Sequence, residues 1–184
     1  MIALRNVTFQ YEGCKEGVRD IDLTVHDGEC VVLTGPSGGG KTTLTRLIGG
    51  LAPSYYQGTL RGSILVNDTE ITALPSWRIG REIGSVFQDP KSQFFSSELA
   101  GEVAFACENY GFSAEEIRDR TDDAIVSFGL NGFRSRNLDV LSSGEKQKVA
   151  IASVYALRPD IYVCDEPTSN LDKTGAEQLA AVFK

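Results

Sequence analysis

The sequence predicts an α/β fold with a mostly parallel core sheet, and three observations carry that prediction. The first third of the chain alternates in the manner of strands. A short continuous apolar run, CVVLTG at 30–35, passes through a glycine-rich loop straight into a helical segment, KTTLTRLIGGL at 41–51. A second apolar run, inside DIYVCDEP at 160–167, follows another helical segment and ends in two adjacent acids.

Each element has its own local reason. IALRNVTFQY at 2–11 roughly alternates, and RDIDLTV at 19–25 puts Ile21, Leu23 and Val25 on one face and Asp20, Asp22 and Thr24 on the other. HDGE supplies a turn, and CVVLTG then reads as a strand buried on both faces. The helix after the glycine-rich loop stops before Pro53, and RGSILVND and IGSVFQ are further strands. From Ser97 to about Leu130 the pattern is helical, with the Ser113–Glu116 spacing of a capping box and a stop at Gly129. LSSGE precedes a helix over Lys146–Leu157 that is rich in small residues.

Composition narrows the function classes. The 184 residues suit one domain with a proper core, and 41% apolar and 23% charged residues are ordinary for a globular chain. A net charge of -7 without a dense Lys/Arg run leaves little footprint for nucleic acid. Cys14, Cys30, Cys107 and Cys164 are far apart and form no CxxC pair, which argues against zinc. Cys30 and Cys164, inside apolar runs, are expected to be small buried hydrophobes in a reducing setting. MIALRNVTFQ has no signal-peptide pattern, and no stretch reaches about 18 apolar residues, so direct membrane insertion is not expected.

The chemistry begins at GPSGGGKT. Gly35, Pro36, Ser37, Gly38, Gly39, Gly40, Lys41 and Thr42 fit G-x-x-x-x-G-K-[ST] between a strand and a helix. Successive N–H groups in such a loop form an anion nest, and the helix N-terminus adds a favourable dipole. Lys41 is placed to neutralise the β/γ-phosphates of ATP, the Thr42 hydroxyl to ligate Mg²⁺, and Thr43 to complete the nucleotide-binding set. At the end of the second apolar run, Asp165 is placed to hold Mg²⁺ and Glu166 to polarise an attacking water.

The order of GPSGGGKT, Gln88 after IGSVF, LSSGE, IYVCDE and SNLD at 169–172 resembles the ATPase subunits of ABC transporters over nearly the whole chain. The resemblance implies a phosphate-loop NTPase (RecA-like) core, an N-terminal antiparallel β subdomain and an inserted α-helical subdomain at about 89–140 with its linker. It implies one ABC ATPase domain over 1–184, ending at AAVFK before the family's switch histidine and so C-terminally incomplete. Tyr11 resembles the aromatic that stacks on adenine, and Gln88 the catalytic glutamine that reaches Mg²⁺ and senses the membrane partner. Ser142, Ser143, Gly144 and Glu145 resemble the signature that completes the ATP site of a second, head-to-tail ATPase subunit or domain. Asp172 resembles the acid that communicates across that dimer, and it also suits an N-cap. Ser143 stands where glycine is usual and Glu145 where glutamine is usual; a glutamate there suits the helix dipole and repels a nearby phosphate.

FQDPKSQFF followed by ELAGEVAFACENYG resembles the energy-coupling-factor and cobalt-type importers. That branch implies a transmembrane coupling protein as partner, a vitamin or metal-ion cargo, and a peripheral place on the cytoplasmic face of the membrane. The alternatives are a soluble ABC ATPase of DNA repair or translation, against which the acidic balance argues, and a nucleotide-binding regulatory module without hydrolysis, against which Asp165 and Glu166 argue.

Overall fold

Alternation along the first strand is realised as a ladder. In the computed structural model, which describes residues 1–183, β1 (Ile2–Tyr11) pairs antiparallel with β2 (Gly17–Val25) and with β3 (Gly58–Val66). A short β4 (Thr69–Glu70) extends the sheet to the order β2-β1-β3-β4. Ile2, Leu4, Val7 and Phe9 are all buried, although Leu4 and Val7 are an odd number of residues apart. A register shift between them, with Asn6 at a φ of 49°, reverses the faces, which is what a bulge does. The imperfect alternation read from the sequence is that bulge.

α1 (Lys41–Ile48) follows the glycine-rich loop and buries Thr43, Leu47 and Ile48. A second helix, α2 (Ser76–Glu82), was not expected; at seven residues behind Pro75 it is too short to show a period.

The apolar run CVVLTG departs from expectation. It joins no ladder, and Val31, Val32 and Leu33 are 45%, 76% and 38% exposed. Cys30 is exposed as well, not a buried hydrophobe. A continuous apolar run shows that a segment tolerates burial on both faces; only flanking strands deliver that burial. Within its own unit, Met1–Ile83, the sheet consists of β1 to β4 and does not include it.

The chain from Gly84 onward forms a second compact unit. β5 (Ile83–Val86) and β6 (Ile161–Cys164) make a two-stranded sheet. α3 (Leu99–Asn109), α4 (Ala114–Ser127) and α5 (Ser143–Leu157) share a core that includes Val103, Cys107, Ala124, Ile125, Phe128, Val149 and Ile151. α4 opens with the expected capping box, Ser113 and Glu116 each bonding the other's backbone. α5 buries residues around most of its circumference, and its alanines let neighbours approach closely. Truncating the fully enclosed Ile151 to Ala would leave a cavity costing about 2–5 kcal/mol. Cys107 lies in this core; its thiol donates to the Ala156 carbonyl at 3.4 Å, and burial raises its pKa. α6 (Lys173–Val182) completes the unit, with Asp172 accepting from the Gly175 N–H at 2.8 Å as its N-cap.

Candidate functional site

The glycine-rich loop delivers a helix N-terminus that no side chain caps. Gly40 precedes α1 at a φ of 85° and makes no side-chain cap bond, so the first N–H groups of the helix keep their capacity for a ligand. Gly35 and Gly38 also have positive φ, and a Cβ built on either would meet nothing within 4 Å. The loop is therefore uncrowded at both positions. Lys41 curls back over it, its Nζ donating to the carbonyls of Gly35 at 2.9 Å and Pro36 at 3.0 Å. An open cradle of N–H donors with an ammonium on its rim fits a polyphosphate.

Tyr11, at the end of β1, is held from three directions. Its hydroxyl donates to Thr43 Oγ1 at 3.2 Å and accepts from Arg46 Nη1 at 3.1 Å. Phe9 meets its ring edge-on at a centroid distance of 4.9 Å. The residue lines an open cavity of about 700 Å³ together with Gly13, Lys15, Gly58 and Thr59, among others.

Where β5 and β6 end, the two strands bring three of the sequence-predicted site residues together. The Asp165 N–H donates to the Val86 carbonyl at 2.9 Å, which sets the acids beside the segment leading to Gln88. The Gln88 amide then donates to the Glu166 carboxylate at 3.0 Å. Asp165 is buried, whereas Gln88 and Glu166 are exposed. Beyond Gln88 the chain is clipped by Gln93, which accepts from the Phe87 N–H and donates to the Ala150 carbonyl, both at 3.3 Å. Glu102, itself buried, accepts from the N–H groups of Phe95 and Ser96 at 2.8 and 2.7 Å.

Ser142, Ser143, Gly144 and Glu145 form the entrance to α5. Ser142 is the N-cap, and it shares a reciprocal capping box with Glu145. Both the N–H and the hydroxyl of Ser142 donate to one Glu145 oxygen at 2.7 Å. Those bonds hold the Glu145 carboxyl below its ordinary pKa. The unusual glutamate thus has a cis role at the helix start. A Cβ at Gly144 would come within 2.9 Å of the Asn170 carbonyl, so this position needs glycine for close approach of the 169–172 turn. Gln147, fully buried, accepts from the Asn170 amide at 3.2 Å and ties the same turn to α5.

The chain belongs to the ABC transporter family, whose description it matches over residues 18–169. Among curated relatives, a Treponema denticola protein named provisionally as an ABC transporter ATP-binding protein is 42% identical over the whole of this chain. A Streptomyces coelicolor protein with the same kind of name is 39% identical, also over the whole chain. The chain spans 38% of the first relative's length and 33% of the second's. Among solved structures, cbiO1 from Clostridium perfringens, part of the transporter complex cbiONQ, aligns with a TM-score of 0.83 at 28% identity, covering 99% of this chain and 71% of that one. The ATP-binding cassette MJ0796, in a dimeric post-hydrolysis state bound to ADP and Pi, aligns with a TM-score of 0.86 at 28% identity, covering 100% of this chain and 81% of that one. These likenesses place the chain in the phosphate-loop NTPase fold of ABC ATPases, a family that binds ATP with Mg²⁺. Among the described residues no helix is long and apolar enough to cross a membrane.

Sequence reading did not single out Arg46, Gln93, Glu102, Gln147 or Asn170. Gln93, Glu102 and Asn170 lie inside segments quoted above, but the partners of all five lie at separations that no local spacing names.

Proposed function

We propose that this chain binds and hydrolyses MgATP to power a membrane transporter, acting as one half of a head-to-tail pair of cassettes. The observation that carries the hydrolytic part is the bond from Gln88 to Glu166 at 3.0 Å. It gathers a carboxylate able to take a proton from water and an amide able to orient that water. The binding part is supported by the uncapped start of α1 and by Lys41 on the rim of the loop. Gly35 through Thr43 hold the nucleotide phosphates in this reading, and Tyr11 stacks on the adenine.

Thr42, Gln88 and Asp165 are the proposed Mg²⁺ ligands. A hydroxyl, an amide oxygen and one carboxylate are hard oxygen donors of the kind Mg²⁺ accepts beside phosphate and water. Bound there, the ion screens negative charge on the phosphoryl group in transfer. Glu166 draws the proton from the attacking water, and Gln88 fixes that water's orientation.

Ser142, Ser143, Gly144 and Glu145, with Asp172, face the partner cassette's nucleotide. Ser142 then turns its hydroxyl from Glu145 toward the incoming phosphate. The partner is a second copy or a similar cassette domain, and a transmembrane coupling protein joins the pair to the cytoplasmic face of the membrane. The importer branch for a vitamin or metal ion is supported by the likeness to cbiO1 and by the segment 87–111.

Light scattering tests this reading with Glu166→Gln protein, in which hydrolysis is blocked. MgATP is expected to convert it from monomer to dimer, while the unaltered protein hydrolyses ATP. A Glu166→Gln monomer at saturating MgATP removes the head-to-tail pair, and an unaltered protein without turnover removes the enzymatic part.

A further inference from the structure

Arg46 makes two contacts that no part of the reading above requires. It lies in the last turn of α1, and its guanidinium carbon sits 4.0 Å from the centroid of the Tyr56 ring. A planar guanidinium over an aromatic face is attracted by the ring quadrupole and is held in orientation by it. Thus oriented, Arg46 Nη1 donates to the Tyr11 hydroxyl at 3.1 Å. That hydroxyl in turn donates a hydrogen bond to Thr43 Oγ1 at 3.2 Å, one turn nearer the phosphate loop. Thr43 is buried, and Phe9 packs T-shaped against the Tyr11 ring. The ring is therefore held through its aromatic contact by β1 and through its hydroxyl by α1.

α1 is the same helix whose N-terminus opens onto the glycine-rich loop. A helix is stiff over two turns, so whatever is tied to Arg46 and Thr43 keeps a fixed distance from the phosphate cradle. A ligand that contacts both the cradle and the Tyr11 ring gains from that fixed distance, because the ring need not be ordered at the moment of binding. A ligand that contacts the cradle alone gains nothing from it.

We propose that Arg46 is a positioning residue for the base of the nucleotide: braced on Tyr56, it holds the Tyr11 phenol against α1 and sets the span between base platform and phosphate loop. This rests on the reading of Gly35–Thr43 as the phosphate site and of Tyr11 as the base platform. The ligand class it selects is a polyphosphate carrying a planar base, in preference to polyphosphate alone.

Calorimetric titration with MgATP and with magnesium tripolyphosphate distinguishes the two contributions. Arg46→Gln keeps a polar stem but loses the fork and the cation. It is expected to weaken MgATP by about three- to tenfold, the worth of one hydrogen bond, and to leave tripolyphosphate unchanged. Tyr11→Phe removes only the hydroxyl and probes the same link from the other side, with the same pattern expected. The double variant should lose no more than the larger single loss, since both changes break one link. Equal weakening of both ligands by Arg46→Gln and by Tyr11→Phe overturns the proposal, because the effect is then on the loop itself. Tyr11→Ala weakening MgATP while Arg46→Gln and Tyr11→Phe leave it untouched also overturns it, and keeps Tyr11 as the platform. MgATP binding unaffected by Tyr11→Ala defeats the underlying reading of Tyr11 instead.

Discussion

The side-chain amide of Gln88 donates to the carboxylate of Glu166 across 3.0 Å, linking the segment after β5 to the turn after β6. The two strands enforce this meeting, since the Asp165 N–H already bonds the Val86 carbonyl at 2.9 Å. Glu166 itself has a φ of 49°, a left-handed conformation that disfavours every residue except glycine and, to a lesser degree, asparagine and aspartate. Strain of this kind costs about 1–3 kcal/mol and persists where surrounding structure over-determines it. Glu166 is thus aimed by its backbone as well as by Gln88, as its proposed role as general base requires.

Glu166→Gln tests that assignment because it preserves shape and the capacity to accept from Gln88 while removing the base. Turnover is expected to fall by about a hundred- to ten-thousandfold, the range for loss of a positioned general base. The dissociation constant for MgATP should change by no more than about threefold, since a carboxylate that acts on water contributes little to ground-state binding. Steady-state turnover and calorimetry on one preparation separate the two. A variant that hydrolyses at the unaltered rate excludes Glu166 as the base.

Lys41→Ala should act the other way, on binding first. Lys41 bonds the carbonyls of Gly35 and Pro36 and so braces the loop, and it is also the cation proposed to meet the β/γ-phosphates. Loss of one charge-assisted contact costs about 1.5–3 kcal/mol, or about ten- to a hundredfold in affinity. An unchanged dissociation constant by calorimetry would remove the phosphate reading of the loop.

The sequence made the phosphate loop, the paired acids and the Ser113–Glu116 capping box legible because each is a local pattern with a local cause. Ser113 and Glu116, for instance, are three residues apart and cap one helix end, so spacing alone implies their contact. The run at 30–35 was misread for the opposite reason. Its apolarity is local, but burial as a strand depends on neighbours that a periodicity does not name. Arg46 escaped notice because its partners, Tyr11 and Tyr56, are 35 and 10 residues away, at spacings that carry no helical or strand period.

Asn170 and Gln147 supply a stability prediction of unequal magnitudes. Gln147 is fully buried; its oxygen accepts from Asn170, and its own amide nitrogen has no partner. Asn170→Ala leaves the whole buried amide unpaired and should destabilise the protein by about 1–3 kcal/mol. Gln147→Leu removes that buried amide and restores apolar packing, so its cost should be distinctly smaller. Urea midpoints at constant slope give both values. A larger loss in Gln147→Leu than in Asn170→Ala would mean that the unpaired nitrogen has a use that outweighs its burial.

The capping box at α5 predicts a pH dependence whose sign follows from its bonds. The Ser142 hydroxyl and N–H hold the Glu145 carboxyl below its ordinary value of 4.5, the hydroxyl contributing most. A carboxyl depressed in the folded state contributes stability that is fully present above its unfolded pKa and is lost as pH falls through the folded value. The window therefore opens near 4.5 and extends below it. Glu116, in the α4 capping box, is depressed through its bonds to Ser113 and adds in the same direction. Glu145→Gln can keep the cap geometry without the charge, so it should be less stable than the unaltered protein at pH 7. The difference should shrink as pH drops through the window, because both proteins then carry an uncharged cap. Ser142→Ala removes the cap oxygen altogether and should cost about 0.5–2 kcal/mol at pH 7. Thermal melts of the three proteins from neutral pH downward measure this. A gap between unaltered and Glu145→Gln protein that stays constant or widens on acidification would show that the stabilising carboxylate lies elsewhere.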